Sequence, residues 1–161
     1  MGLDMYLDKR IYISEFSHDN DNDNDNVESK IDKILDILKI KDESGNFKHI
    51  TVSVPAIYWR KSNHIHAWFV ENIQDGVDDC REYYVSVEDL KRLLSAINIQ
   101  LAEKGKMYPV ITLSPQDGFF FGSTDIDEWY WKDLEYTKKS LEREILQAEI
   151  GGYSFTYHAS W

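Results

Sequence analysis

Cysteine, long apolar runs and positive charge are all scarce in this chain. A single cysteine, Cys80, rules out an internal disulfide and fits a reducing compartment. No apolar run approaches the ~18–20 residues that a membrane-spanning helix needs. The opening MGLDMYLDKR has acid among its apolar residues and no basic lead-in, so it does not read as a signal peptide. Only 18 Lys plus Arg stand against 29 Asp plus Glu, a formal charge of −11. Such a surface repels phosphate backbones and disfavours generic nucleic-acid binding. Nucleotide P-loops, the dinucleotide fingerprint, zinc-ligand spacing, the nucleophile elbow and kinase signatures are missing as well. What is there is an apolar share of 42% over 161 residues, enough for one domain with a real core. The composition describes a soluble, cytoplasmic, acidic globular domain, with no cofactor and no membrane association expected.

The negative charge is uneven. Residues 19–26 read DNDNDNDN, and their four Asp account for −4 of the −11, leaving −7 elsewhere. Asp and Asn favour turns and local side-chain bonds, and the tract has nothing apolar to bury, so a disordered acidic loop is expected at 17–26. Asp21, Asp23 and Asp25 fall at positions 1, 3 and 5 of a calcium-loop pattern that closes at Asp32. Asn26 replaces the loop's glycine and the closing residue is Asp rather than Glu, so a solvated loop is preferred and no metal is expected.

Hydrophobic spacing predicts the elements. Leu3, Met5 and Leu7 alternate with Asp4 and Tyr6 as a half-buried strand does, and Ile11 to Ile13 extend it or begin another. Val27, Ile31, Ile34, Leu35 and Leu38 fall on one helical face with Asn26 as N-cap. Ile50, Val52 and Val54 form a strand that Pro55 should break, opening a helix over residues 56–74. A short EYYVSV strand leads to Ser86 and Asp89, at capping-box spacing, and a helix carrying Leu90, Leu93, Leu94, Ile97 and Leu101. Val110 to Leu113 and Phe119 to Phe121 read as two further strands. Ser123, Thr124 or Asp125 can then cap a long helix that ends at Gly151 and Gly152. Tyr153, Phe155, Tyr157, Ala159 and Trp161 mark a terminal strand. The expected architecture is one α+β domain over residues 1–161, about four helices on a mixed or antiparallel sheet of five to six short strands.

Several constellations could carry chemistry. His49-Ile50-Thr51 and His158-Ala159-Ser160 are H-x-[ST] triplets on predicted strands. Paired triplets of this kind serve two-histidine phosphoesterases, where strand alternation aims His and hydroxyl into one cleft. On that reading His49, Thr51, His158 and Ser160 would be catalytic; otherwise they are strand-face residues. His64 and His66 lie on a predicted helix, where two positions separate by about 200°, so they do not form a metal pair. Cys80 follows Asp78 and Asp79, an acidic setting that does not favour a reactive thiolate. Arg60, Lys61 and His64 sit beside Tyr58 and Trp59, and in so acidic a chain this YWRK cluster suits an anion next to a flat ring. Asp125, Asp127 and Glu128 fill the first turn after GFFFGST and would repel an anion there.

Taken together, MGLDMYL, then YWRK with SNHIHAWFV, QDGVDDC with YYVS, GFFFGST with DIDEWY, and the closing SW resemble a largely uncharacterised family of small phage and prophage proteins. The resemblance spans nearly the whole chain except the acidic tract and the helices near residues 27–45 and 135–150. It implies a phage accessory role, counter-defence foremost, inside a bacterial cell, and brings no catalytic residues with it. The leading expectation is a non-enzymatic protein that sequesters a small, nucleotide-like anionic immune signal. Its pocket would be built from Trp59, Arg60, Lys61, His64, Tyr83, Tyr84 and Phe120. Two alternatives stay open. One is an acidic inhibitor of a host defence protein, or a nucleic-acid mimic, with homo-oligomers allowed. The other is a phosphodiesterase using His49 and His158.

Overall fold

The computed structural model describes residues 2–14, 30–40 and 47–161. The acidic tract, its calcium pattern and the Asn26 cap lie outside the described residues. In chain order the elements are β1 (Asp4–Ser14), α1 (Lys30–Leu38), β2 (His49–Arg60), α2 (Asn63–Asn72), β3 (Tyr83–Val85), α3 (Val87–Leu101), α4 (Glu128–Gly151) and β4 (Ser154–Ser160). The strands form one antiparallel sheet in the order β2-β1-β4-β3, with Tyr83 opposite Tyr157 and Val85 opposite Phe155. The fold is therefore α+β, with four helices and four strands among the described residues.

Two compact units make up the chain: Met1–Lys9 with Val54–Trp161, and Arg10–Ser53. In the smaller, α1 buries Ile31 and Leu35, one helical turn apart, and Tyr12 stacks on His49 with ring centroids 5.5 Å apart. The larger unit holds the main core. Leu3, just before β1, and Met5 and Leu7 on it enter the core, with Ile57 and Trp59 from β2 and Phe155, Tyr157 and Ala159 from β4, at alternate positions. Leu90, Leu93 and Ile97 of α3 and Leu134 and Leu141 of α4 pack against them. Phe69 of α2 stacks flat on Tyr157, with centroids 3.9 Å apart and planes 7° from parallel. Such a pair adds about 0.5–1.5 kcal/mol beyond its buried area.

Three expectations are corrected. Pro55 does not end the strand. β2 lies at the edge of the sheet, where a residue without an N–H costs no ladder bond, so it runs on to Arg60 and the helix starts only at Asn63. Residues 110–113 form no strand, because the backbone N–H groups of Thr112 and Leu113 donate to the Gln100 side chain, at 2.7 and 3.1 Å. Residues 119–121 form a turn closed by Phe121 N–H on the Gly118 carbonyl at 3.1 Å. Four strands stand where five to six were expected.

The helix ends follow their sequence signals more closely. Ser86 accepts from Asp89 N–H, and Asp89 accepts from Ser86 N–H, so α3 begins with a complete capping box. α4 is capped by Asp127, which accepts from the N–H groups of Trp129 and Tyr130, not by Ser123, Thr124 or Asp125. Gly152 ends it in the left-handed conformation at φ 66°. Among the described residues no helix is long and apolar enough to cross a membrane.

Candidate functional site

The route from β2 into α2 builds the site. Trp59 turns inward and donates from Nε1 to Thr137 Oγ1 at 2.8 Å, which anchors the end of β2 on α4. Arg60 therefore points to the exposed side of the sheet. Lys61 then reverses the chain in the left-handed region, φ 60°, while its N–H still donates to the Leu3 carbonyl at 2.8 Å. Its aliphatic stem runs past two glycines: a Cβ on Gly2 would lie 3.3 Å from Lys61 Cε, and one on Gly122 would lie 3.2 Å from Lys61 Cβ. Both glycines leave the stem its path. Asn63 holds the opposite loop, donating to the carbonyls of Phe121 and Ser123 at 3.2 and 2.9 Å.

These residues open onto a cavity of about 320 Å³. Arg60, Lys61 and His64 line it from one side, and Asp125, Asp127, Trp129, Tyr130 and Asp133 from the other. The volume is at the lower end of the range for small-ligand sites. The three carboxylates are already engaged: Asp125 by the Ser123 hydroxyl at 2.8 Å, Asp127 by the N-terminus of α4, and Asp133 by the Ser62 hydroxyl at 2.6 Å. Among the described residues, Arg60 and Lys61 have no carboxylate within salt-bridge distance, whereas Lys91, Arg92, Lys104 and Lys132 all do. Trp129 is 70% exposed, and the Lys132 ammonium lies 4.7 Å from the centre of its ring.

Two titratable groups of the site are displaced. Burial pushes His64 down to about 4, so it is neutral at pH 7. Its ring lies 4.5 Å from that of Tyr130, and its buried Nε2 has no hydrogen-bond partner among the described residues. Burial raises the Asp133 pKa from its ordinary value, and Asp127 pushes the same way, against the bond from Ser62.

Of the residues expected in one pocket, Arg60, Lys61 and His64 meet here. Trp59 does not; it is core, 2% exposed. Tyr83 and Tyr84 are on β3, where Tyr83 bonds Asp79 and Arg81, and Phe120 sits in the 118–121 turn against Phe119. None of these three lines the cavity. The aromatic wall comes instead from Trp129 and Tyr130, just after the Asp125, Asp127 and Glu128 carboxylates that were expected to repel an anion. DIDEWYW carried the signal: an apolar pair next to a cap leaves one ring in the core and the other outside.

The remaining candidates separate. His49 of β2 stacks on Tyr12, and His158 of β4 stacks on Tyr6. His66 is fully buried, with Nδ1 2.7 Å from the Tyr157 hydroxyl and Nε2 3.0 Å from Asp78. Since a carboxylate only accepts, neutral His66 carries its proton on Nε2 and accepts from Tyr157. Cys80 is exposed, and the described residues hold no cluster of metal-binding type. No family model, no curated protein and no solved structure matches this chain.

Proposed function

We propose that the chain is a phage-encoded accessory protein that acts by binding in the bacterial cytoplasm, sequestering a small nucleotide-derived signal of host defence at the Arg60–Lys61 cavity. One observation carries the binding reading: two cations with no carboxylate partner among the described residues line the same cavity as an exposed indole, Trp129. The resemblance to small phage proteins supplies the biological setting.

The balance of charges narrows the ligand. Two cations face three carboxylates, so a bare anion gains little from this cavity. A ligand that also brings hydroxyl or amino donors gains from both sides. Nucleotides have that composition. Their phosphate suits Arg60 and Lys61, their ribose hydroxyls can donate to Asp125 and Asp133, and their base can stack on Trp129, worth about 1–3 kcal/mol per base.

The test is calorimetry with nucleoside 5′-monophosphates, cyclic nucleotides and ADP-ribose. At least one should bind, and the double substitution Arg60→Ala with Lys61→Ala should weaken it at least about tenfold. Heat denaturation of the loaded protein should return the ligand chemically intact. Unchanged affinity in the double variant would remove the site assignment, and recovery of a cleaved product would replace sequestration by catalysis.

A further inference from the structure

A second cavity of about 420 Å³ adjoins the first, and His64 and Pro115 line both. One side of it is a stripe of α2, His64, Ala67, Trp68 and Glu71, at the i, i+3, i+4, i+7 spacing of a single helical face. The other side is the 112–116 loop. That loop is held in place: Gln100, fully buried, accepts from Thr112 and Leu113 N–H, and the Tyr130 hydroxyl donates to the Leu113 carbonyl at 2.9 Å. Tyr130 also lines the first cavity and packs on His64. His64 and Pro115 are thus the residues common to both compartments, and the His64 ring is held against Tyr130.

The compartments differ in chemistry. Arg60 and Lys61 line the first, whereas among the described residues no Lys or Arg and a single carboxylate, Glu71, line the second, beside hydroxyl, amide and apolar groups. The Arg92 guanidinium lies 5.8 Å from the centre of the Trp68 ring but is paired with Asp89 at 2.9 Å, so among the described residues lining this compartment a phosphate finds no free cation. A flat, neutral ring with amino or hydroxyl donors does have partners, in Glu71 and the Ser114 hydroxyl. His64 stands at the junction with a buried nitrogen that no described residue satisfies. Buried polar atoms are rarely left so, and a ligand that reaches past His64 from one compartment to the other is one way to pair it.

We propose that the two cavities form one bipartite site for a two-ended ligand of dinucleotide type. Its phosphates lie at Arg60 and Lys61, one base lies on Trp129, and the second base lies across His64 in the groove between α2 and the 112–116 loop. This rests on the nucleotide-binding reading above and narrows its ligand class.

The test compares the four nucleoside 5′-monophosphates with the matching linear dinucleotides carrying a 5′-phosphate. On the intact protein a dinucleotide should bind at least about tenfold more tightly than its mononucleotide. Ala67→Trp and, separately, Ser114→Trp fill the second compartment from opposite walls. Each should reduce the dinucleotide to mononucleotide affinity and leave mononucleotide binding in place, which also reports that the variant is folded. Equal affinity of the two ligand classes for the intact protein would overturn the bipartite site while leaving the nucleotide reading standing. A dinucleotide advantage that survives both substitutions would also overturn it. Failure of every probe to bind the intact protein would overturn both.

Discussion

The Ser62 hydroxyl donates to Asp133 at 2.6 Å, so the residue at the N-cap position of α2 serves α4 instead of its own helix. Two elements are tied at the floor of the cavity, at the expense of a cap that would otherwise add about 1 kcal/mol. Burial of this carboxylate, with a smaller push from Asp127, raises its affinity for a proton against the Ser62 bond.

Asp133→Asn tests that tension. A carboxyl whose folded pKa is raised binds its proton more tightly folded than unfolded. Its contribution is therefore fully present below the unfolded pKa and is lost as pH rises through the folded one. At pH 7 the ionised Asp133 opposes folding, and Asn keeps an oxygen to accept from Ser62. The variant should melt at a higher temperature at pH 7, with the difference vanishing near pH 4. An equal shift at both pH values would mean that ionisation of Asp133 is not the cause.

His64 acts in the opposite sense. Its folded pKa of about 4 lies below the unfolded value of 6.5, so the unfolded chain takes up a proton first. The stability contributed by keeping it neutral is present above pH 6.5 and is lost as pH falls towards 4. The difference corresponds to about 3 kcal/mol across that window. His64→Phe keeps a ring against Tyr130 and cannot titrate. Urea unfolding from pH 7 to pH 4 should show a visibly flatter acid limb for this variant. Identical limbs for variant and parent would refute the assignment.

Tyr157→Phe removes one oxygen from the core while keeping the stack on Phe69. It leaves His66 Nδ1 without the hydroxyl it accepts from, which should cost about 1–3 kcal/mol in urea unfolding at pH 7. A loss below about 0.5 kcal/mol would mean that water replaces the hydroxyl, so that His66 is less sealed than its burial indicates.

Most of the fold was legible because its strongest elements signal locally. The alternation around Leu3, Met5 and Leu7, the Ser86–Asp89 box and the Phe155–Ala159 strand each state their structure within a few residues. The errors fell where a distant partner decides. Pro55 breaks a strand only if its missing N–H is needed, and that depends on β2 lying at the sheet edge. Residues 110–113 have strand composition, but Gln100 claims their backbone donors first. The site was half legible for the same reason. Arg60, Lys61 and His64 are neighbours in sequence, while Trp129, Tyr130 and Asp133 reach them only through tertiary packing.

The seat of Lys61 yields the last prediction. Gly122 adopts φ 92°, and a Cβ there would meet the Lys61 stem at 3.2 Å; Gly2 has ordinary backbone angles, and a Cβ would meet the same stem at 3.3 Å. Gly122→Ala therefore combines backbone strain with crowding and should cost about 1–2 kcal/mol of stability. Gly2→Ala carries no such strain, because the flexible stem can shift by a few tenths of an ångström. It should leave the melting temperature within about 2 °C while shifting the Lys61 side chain that lines the cavity. Nucleotide affinity should then fall several-fold in Gly2→Ala with stability preserved, and calorimetry beside a thermal melt separates the two quantities. If Gly2→Ala bound as tightly as the parent, the placement of Lys61 by its two glycines would have no bearing on the ligand.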